Sequence, residues 1–216
     1  MLSSFRIEQR KGFLIMHSPL RYQATEYDCG PTAITNAIMF LFDREEIPPD
    51  LIRHIGQGTL DSFDEKGHCG RYGTSGAAIR YFGSWLNELR YAGLLPIESC
   101  YLEKDDVQLG EGSRLTEGLK NGAAAVLHVS LHGYGHYILL TGMEGHSYRV
   151  FDPYYSEERR VSADVTSVSD QPFSHNLLVS EERLNSIVQK NYAMGDIQTR
   201  EALFIYRHRV EDFYVI

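Results

Sequence analysis

The chain has 216 residues, of which 43% are hydrophobic and 23% charged, and its formal net charge is −8. A chain of this size can bury most of its apolar surface in one core, so we expect a single domain over residues 1-216. The acidic balance argues against nucleic acid as a partner, because phosphate-binding proteins carry clustered Lys and Arg in excess. No stretch reaches the roughly 20 uninterrupted apolar residues that span a bilayer. We therefore expect no membrane segment and a cytoplasmic location.

The chain contains three cysteines, Cys29, Cys69 and Cys100, and no Cys-x-x-Cys pair. Such an odd and sparse set indicates neither a disulfide framework nor a four-sulfur zinc site. A reducing cytosol fits this set of cysteines, and it would also keep a catalytic thiol reduced.

A helix is predicted directly after Cys29, because apolar residues recur there at the spacing of one buried helical face. These residues are Ile34, Ala37, Ile38 and Leu41. Pro31 fits only the first turn of such a helix. Pro48 and Pro49 are expected to end it, which leaves Cys29 at the helix N-terminus.

Residues 56–76 contain six glycines and are predicted to form a long irregular loop. This stretch has no phosphate-binding motif. Thr74 or Ser75 is expected to cap a second helix, and Gly93 and Pro96 to end it. The apolar face of this helix consists of Ile79, Phe82, Leu86 and Leu89.

A short helical segment at Leu115–Lys120 precedes a region with the composition of strands. The predicted strands are Ala123–Leu131, His136–Gly142 and His146–Asp152, followed by a helix at Glu181–Gln189 and a strand at Leu203–Tyr206. The last strand would extend the same sheet. Helices that come first and strands that come later indicate an α+β fold.

Cys29 is the first candidate for chemistry, because the partial positive charge at a helix N-terminus favours the thiolate, which is the nucleophilic form. The alternative is that Cys29 is a small buried hydrophobic residue, as most free cysteines are. His136 is the second candidate, since it follows the flexible Gly133-Tyr134-Gly135 and opens an apolar strand at a sheet end. Its alternative is an ordinary strand-edge histidine with one hydrogen bond.

The predicted hairpin links His136 to Asp152. A three-residue loop at Met143–Gly145 would place the two residues directly opposite each other on one face of the sheet. A carboxylate there can hold the imidazole ring and its tautomer. A loop of two or four residues would instead put the two side chains on opposite faces.

Asp152 and Gln23 each have a simpler interpretation. Asp152 precedes Pro153 and could merely open a turn, and Gln23 could be a loop glutamine. In the presence of Cys29 and His136, we interpret Asp152 as the residue that orients the histidine. The amide of Gln23 then becomes a candidate oxyanion donor beside the backbone N–H of Cys29.

A metal site is the competing interpretation of the histidines. His128, His132 and His136 are spaced by four residues, which would place them on one face of a helix. The segment is predicted to be a strand, in which four residues span roughly 13 Å, too far for shared coordination. We therefore expect neither a metal ion nor a cofactor.

Two segments resemble the C39-like branch of the papain-like cysteine peptidases, which includes the leader-removing domains of bacterial bacteriocin-exporting transporters. They are Gln23–Gly30 (QATEYDCG) and His136–Pro153 (HYILLTGMEGHSYRVFDP). The resemblance implies a papain-like fold, in which an N-terminal helix with the nucleophile packs on an antiparallel sheet with the histidine and aspartate. It also implies a catalytic role for Gln23, Cys29, His136 and Asp152.

The residues and the resemblance together favour a cysteine peptidase that cleaves a peptide or protein substrate through a thioester. Acyl or peptidyl transfer on the same scaffold is the alternative, because both reactions form the same thioester and differ in the nucleophile that resolves it. A third hypothesis is a non-catalytic peptide-binding module, whose signature would be loss of the Cys, His or Gln. The sequence does not indicate an oligomeric state.

Overall fold

The computed structural model describes residues 6–10, 13–156 and 162–208. Within these ranges the chain forms five α-helices and nine β-strands. The helices are α1 (Cys29–Leu41), α2 (Pro49–Thr59), α3 (Gly76–Tyr91), α4 (Arg114–Lys120) and α5 (Glu181–Asn185). The strands are β1 (Arg6–Arg10), β2 (Phe13–His17), β3 (Ile97–Glu103), β4 (Ala124–Leu131), β5 (Tyr134–Glu144), β6 (Ser147–Phe151), β7 (Val165–Ser167), β8 (Leu177–Ser180) and β9 (Glu201–Arg207).

Seven of these strands form one antiparallel sheet in the order β3-β9-β4-β5-β6-β8-β7, and β1 pairs with β2 in a separate hairpin. The predicted α+β class, with early helices and a later antiparallel sheet, is confirmed. The strand predicted at Leu203–Tyr206 belongs to this sheet as β9. It does not extend the sheet at an edge but lies between β3 and β4.

The large sheet has a hydrophobic cluster on each face. Alternate residues of β5 divide between the two clusters, because successive side chains of a strand point to opposite faces. Tyr137 and Leu139 pack with α1, α2 and α3, whereas Ile138 and Leu140 pack with α4 and α5. None of the helices within the described ranges has both the length and the hydrophobicity that crossing a bilayer requires.

The connection after α1 differs from the prediction. Pro48 and Pro49 do not end this helix, which stops earlier at Leu41, and Pro49 instead lies in the first turn of α2. Proline is tolerated there because the first N–H groups of a helix have no helical acceptor. Since α2 continues to Thr59, the start of the predicted glycine-rich loop is helical. Gly58 fits inside this helix because a Cβ atom would collide with an aromatic ring of α3.

The other boundaries follow the predicted signals more closely. Ser75 caps α3, and its hydroxyl accepts a hydrogen bond from the N–H of Ala78 at 3.1 Å. Gly93 then adopts a φ of 70°, as expected at the end of a helix. The strand β3, which directly follows Pro96, was not predicted. The helix predicted to reach Gln189 ends at Asn185.

Candidate active site

Cys29 is the first residue of α1, which confirms its predicted position at a helix N-terminus. The residue is 8% exposed. The preceding Asp28 does not cap the helix with its side chain. Its carboxylate turns back and accepts hydrogen bonds from the backbone N–H groups of Ala24 at 3.1 Å and Thr25 at 2.8 Å. The first turn of α1 also contains no acidic residue. The positive end of the helix dipole therefore acts on Cys29 without a neutralising carboxylate in that turn.

The end of the glycine-rich loop packs against the start of α1. A Cβ atom on Gly30 would lie 2.3 Å from the hydroxyl oxygen of Thr74, so only glycine fits beside Cys29. The neighbouring Gly73, with a φ of 85°, lies against the backbone carbonyl of Tyr27. The segment before α3 thus supports the turn from which Cys29 projects.

The hairpin between β5 and β6 has a different turn from the one predicted. Glu144 pairs with Ser147, which leaves a two-residue turn of Gly145 and His146 in place of the predicted three-residue loop. The register then changes at Thr141, which is an extra residue on β5 and forms a β-bulge. The predicted register is therefore wrong in both its turn and its strand pairing.

The bulge nevertheless brings the predicted pair to one face. A two-residue turn alone would put His136 and Asp152 on opposite faces, and one extra residue reverses that parity. Beyond the bulge, Leu139 pairs with Phe151. Continuing this register places Ile138 opposite Asp152, so His136 lies diagonally from the carboxylate on the same face. The Nε2 atom of His136 is 2.7 Å from Oδ1 of Asp152.

Asp152 is held by four residues and is 4% exposed. Its Oδ1 accepts hydrogen bonds from His136 and, at 2.8 Å, from the backbone N–H of Tyr154. Its Oδ2 accepts one from the hydroxyl of Tyr192 at 2.8 Å. The side chain of Asn176 clamps the backbone of Asp152, since it accepts from the N–H and donates to the carbonyl, both at 2.8 Å. The carboxylate therefore has a fixed orientation.

The His136 ring connects Asp152 to Cys29. Burial of the ring opposes protonation, but hydrogen bonds to Asp152 and Cys29 and the charges of those two groups raise the His136 pKa to about 9. Since Nε2 contacts the carboxylate, Nδ1 is the ring nitrogen left to face the sulfur. With this raised pKa the ring is an imidazolium at neutral pH, and its interactions with the carboxylate of Asp152 and with Cys29 favour that charge.

Gln23 is tied to the same region, because its backbone N–H donates to the carbonyl of Pro153 at 2.8 Å. Its side-chain Nε2 donates to the carbonyl of Thr25 at 2.7 Å. An amide nitrogen carries two hydrogens, so one of them remains for another acceptor. The oxyanion role of Gln23 stays a prediction.

The three histidines of the metal alternative do not converge. The ring of His128 packs on that of Tyr137 at a centroid distance of 5.0 Å, and burial lowers the His128 pKa. His132 lies in the turn between β4 and β5 with a φ of 52°, and His136 contacts Asp152. Across the described ranges, no three His, Cys, Asp or Glu side chains are grouped so that they could hold a metal ion.

Three residues that contact Asp152, namely Tyr154, Asn176 and Tyr192, were not predicted from the sequence. Tyr154 could have been found, because an aspartate in a turn commonly accepts from the N–H two residues later. Asn176 and Tyr192 lie 24 and 40 residues after Asp152, and no local spacing links them to it.

No protein-family model matches the sequence, and no curated protein matches it. Among solved structures, the chain is similar to the crystal structure of a double glycine motif protease from an AMS/PCAT transporter in complex with the leader peptide. The sequence identity is 12%, and the match covers 87% of this chain and 91% of the other. The TM-score is 0.44.

Proposed function

We propose that the chain is a cysteine peptidase that cleaves a peptide bond of a peptide or protein substrate through a thioester at Cys29. The observation that carries the proposal is the position of His136, which hydrogen-bonds to Asp152 in a buried site and whose pKa is raised by its interactions with Asp152 and Cys29. The uncapped N-terminus of α1 supports it further, because it favours negative charge on the sulfur and on an oxyanion beside it.

In the first step, the sulfur of Cys29 attacks the carbonyl carbon of the scissile bond, and the electrons of the C=O bond move to the oxygen. The backbone N–H of Cys29 and the second amide hydrogen of Gln23 are the proposed donors to this oxyanion. When the intermediate collapses, the C–N bond breaks and the imidazolium of His136 gives its proton to the leaving amine. The products of this step are a thioester and a free amine.

In the second step, water attacks the thioester carbonyl and the now neutral His136 accepts its proton. Breakage of the C–S bond releases a carboxylic acid and regenerates the thiolate beside an imidazolium. Asp152 keeps the ring in one orientation during both proton transfers, because its carboxylate accepts from Nε2 and leaves Nδ1 directed at the sulfur.

The proposal is tested with the purified chain, a peptide library and mass spectrometry in water enriched in ¹⁸O. We expect new C-termini that carry ¹⁸O, and we expect them to disappear in a Cys29→Ala variant. Cys69→Ala is the matched control, because that thiol is exposed and lies in the glycine-rich loop. Cleavage that survives Cys29→Ala, or no cleavage across the library, would contradict the proposal.

The same assay with an added amine distinguishes hydrolysis from transfer. A peptidase gives mainly the ¹⁸O-labelled acid, because water resolves the thioester. If the amide of the added amine is the main product at low amine concentration, the chain is a transferase that uses the same nucleophile.

A further inference from the structure

We propose that Tyr192 is a positioning residue of this site, which acts on Cys29 and His136 by fixing the carboxylate of Asp152. The inference rests on the proposed function in taking Cys29 as the nucleophile. It assigns a role in the reaction to the chain that follows Asp152, where no residue was predicted to contribute to the site.

The first support is the division of contacts between the two carboxylate oxygens. Oδ1 of Asp152 faces the ring of His136 and the backbone of Tyr154, whereas Oδ2 accepts from the hydroxyl of Tyr192 at 2.8 Å. The terminal torsion of an aspartate is soft and broad, so contacts at one oxygen alone do not define the carboxylate plane. The hydroxyl of Tyr192 holds the second oxygen and so sets the direction of the lone pair that meets His136.

The second support is the way in which Tyr192 is held. Its backbone N–H donates to the carbonyl of Ser130 at 2.7 Å, and the N–H of Ser130 donates to the carbonyl of Ala193 at 2.8 Å. The side chain of Asn191 accepts from the N–H of His132 at 2.8 Å. Residues 191–193 are therefore fastened to the end of β4, close to the strand that carries His136.

The third support is backbone strain. Tyr192 has a φ of 67°, in the left-handed region that a bulky side chain rarely adopts. His132, whose backbone N–H donates to the side chain of Asn191, is a second residue in this region, with a φ of 52°. Strained residues of this kind persist where surrounding contacts impose them, and they cluster at functional sites. Here the imposed conformation delivers a hydroxyl to Asp152.

The competing explanation is that Tyr192 merely satisfies a buried carboxylate oxygen and contributes to stability alone. The two explanations differ in what happens when Asp152 is absent. A residue that acts through Asp152 has no effect on Cys29 once the carboxylate has been removed, whereas a residue that stabilises the fold has the same effect in both backgrounds.

The experiment measures the rate of Cys29 alkylation by iodoacetamide in four proteins: the unaltered chain, Tyr192→Phe, Asp152→Ala and the double variant. We expect Tyr192→Phe to slow alkylation roughly tenfold, the size of one lost hydrogen bond to a charged group. In the Asp152→Ala background, the same change should have no further effect. Mass spectrometry identifies the labelled cysteine, and thermal melts report the folding of each variant.

Tyr148→Phe is the matched control, because Tyr148 is fully buried and its hydroxyl hydrogen-bonds to Thr116 and Gly110 and not to Asp152. We expect it to leave the alkylation rate unchanged. An equal slowing by Tyr192→Phe in both backgrounds, or no slowing in the unaltered background, would overturn the inference. If Asp152→Ala does not fold, Asp152→Asn replaces it in the same comparison.

Alkylation requires no peptide substrate, so this test does not depend on the peptidase assay. Absence of peptide cleavage would contradict the proposed function and leave the coupling between Tyr192 and Cys29 measurable. Where a cleaved peptide is available, a positioning role also predicts that Tyr192→Phe lowers kcat and leaves KM unchanged, since the hydroxyl that it removes donates to Asp152.

Discussion

His136 and Asp152 are in hydrogen-bonding contact, with 2.7 Å between Nε2 and Oδ1, although the register of the turn that joins their strands would separate them. The pairs next to the turn place the two side chains on opposite faces of the sheet. The extra residue at Thr141 then reverses the parity. The bulge thus absorbs one residue of β5, five residues away from His136, and lets Leu139 pair with Phe151.

Deletion of Thr141 should keep the two residues in contact, because it removes only the unpaired residue and joins the pairs Gly142–Arg149 and Leu140–Val150 into one regular ladder. We expect the deletion variant to retain peptide cleavage. Insertion of one alanine between Phe151 and Asp152 should instead turn the carboxylate to the opposite face and lower activity by roughly 10³-fold or more, because the machinery acts as a unit. Equal activity of the insertion variant and the unaltered chain would contradict the register described.

The pKa of His136 predicts the alkaline limit of activity. The leaving amine needs a proton from the imidazolium, whose pKa is raised to about 9 chiefly by its contacts with Asp152 and Cys29 against the effect of burial. We expect kcat/KM to fall with loss of a single proton around pH 9. Asp152→Asn removes one of the two charges, so the midpoint should move to lower pH. If kcat/KM instead fell around pH 6.5, the ordinary pKa of histidine, the result would contradict the ion-pair arrangement.

The same group links stability to pH. The folded pKa of His136 lies above its ordinary value of 6.5, so the folded state binds the proton more tightly than the unfolded state does. The resulting stabilisation is fully present below about pH 6.5 and is lost as the pH rises through about 9. Thermal melts should show Tm falling across this window. The fall should be smaller in His136→Ala, and equal slopes in the two proteins would exclude His136 as the cause.

Gln23→Ala should lower kcat by roughly 10²–10³, the usual effect of removing one oxyanion donor, while the fold remains intact. The backbone of Gln23 remains bonded to Pro153 in this variant, so the loop before α1 keeps its anchor. Gln57→Ala, at an exposed position of α2, is the control and should leave kcat unchanged. If kcat of the Gln23 variant were unaltered, the amide would have a structural role within its loop.

Gly30→Ala should destabilise the protein by about 1–3 kcal/mol, the usual cost of overpacking, because the new Cβ atom would overlap the side chain of Thr74. Removing that side chain with Thr74→Gly in the same protein should recover part of the loss. Gly56→Ala is the control: nothing lies within 4 Å of the added atom in α2, so stability should rise by about 0.5–1 kcal/mol. Urea unfolding measures all three variants, and similar values for both alanine substitutions would contradict the packing described.

The sequence predicted the two elements that carry the strongest periodic signals. The helix after Cys29 has a regular apolar face. The strand after His136 is a continuous apolar run, because its side chains are buried on both faces of the sheet. The pair Pro48-Pro49 was ambiguous, because proline is equally at home after one helix and in the first turn of the next. The resulting error concealed α2.

The predicted contact between His136 and Asp152 was reached through two errors that cancelled. The turn and the bulge each have a glycine signal, since Gly145 opens the turn with a φ of 60° and Gly142, beside Thr141, has a φ of 152°. The predicted three-residue loop placed Gly145 at its end and treated Gly142 as an ordinary strand residue. Tyr192 could not be predicted at all, because its contact with Asp152 depends on how residues 191–193 attach to β4. Tertiary pairing of that kind leaves no local pattern.

The position of β9 has a consequence for synthesis of the chain. Among the described strands, β3 pairs only with β9, and β9 also covers the edge of β4. A ribosome makes β3 and β4 long before Glu201–Arg207, so both strands lack this neighbour until β9 emerges. Open strand edges pair readily with other chains. The nascent polypeptide therefore has unpaired strand edges that a chaperone would need to shield. A product that stops before Glu201 would keep the edges of β3 and β4 unpaired and prone to aggregation.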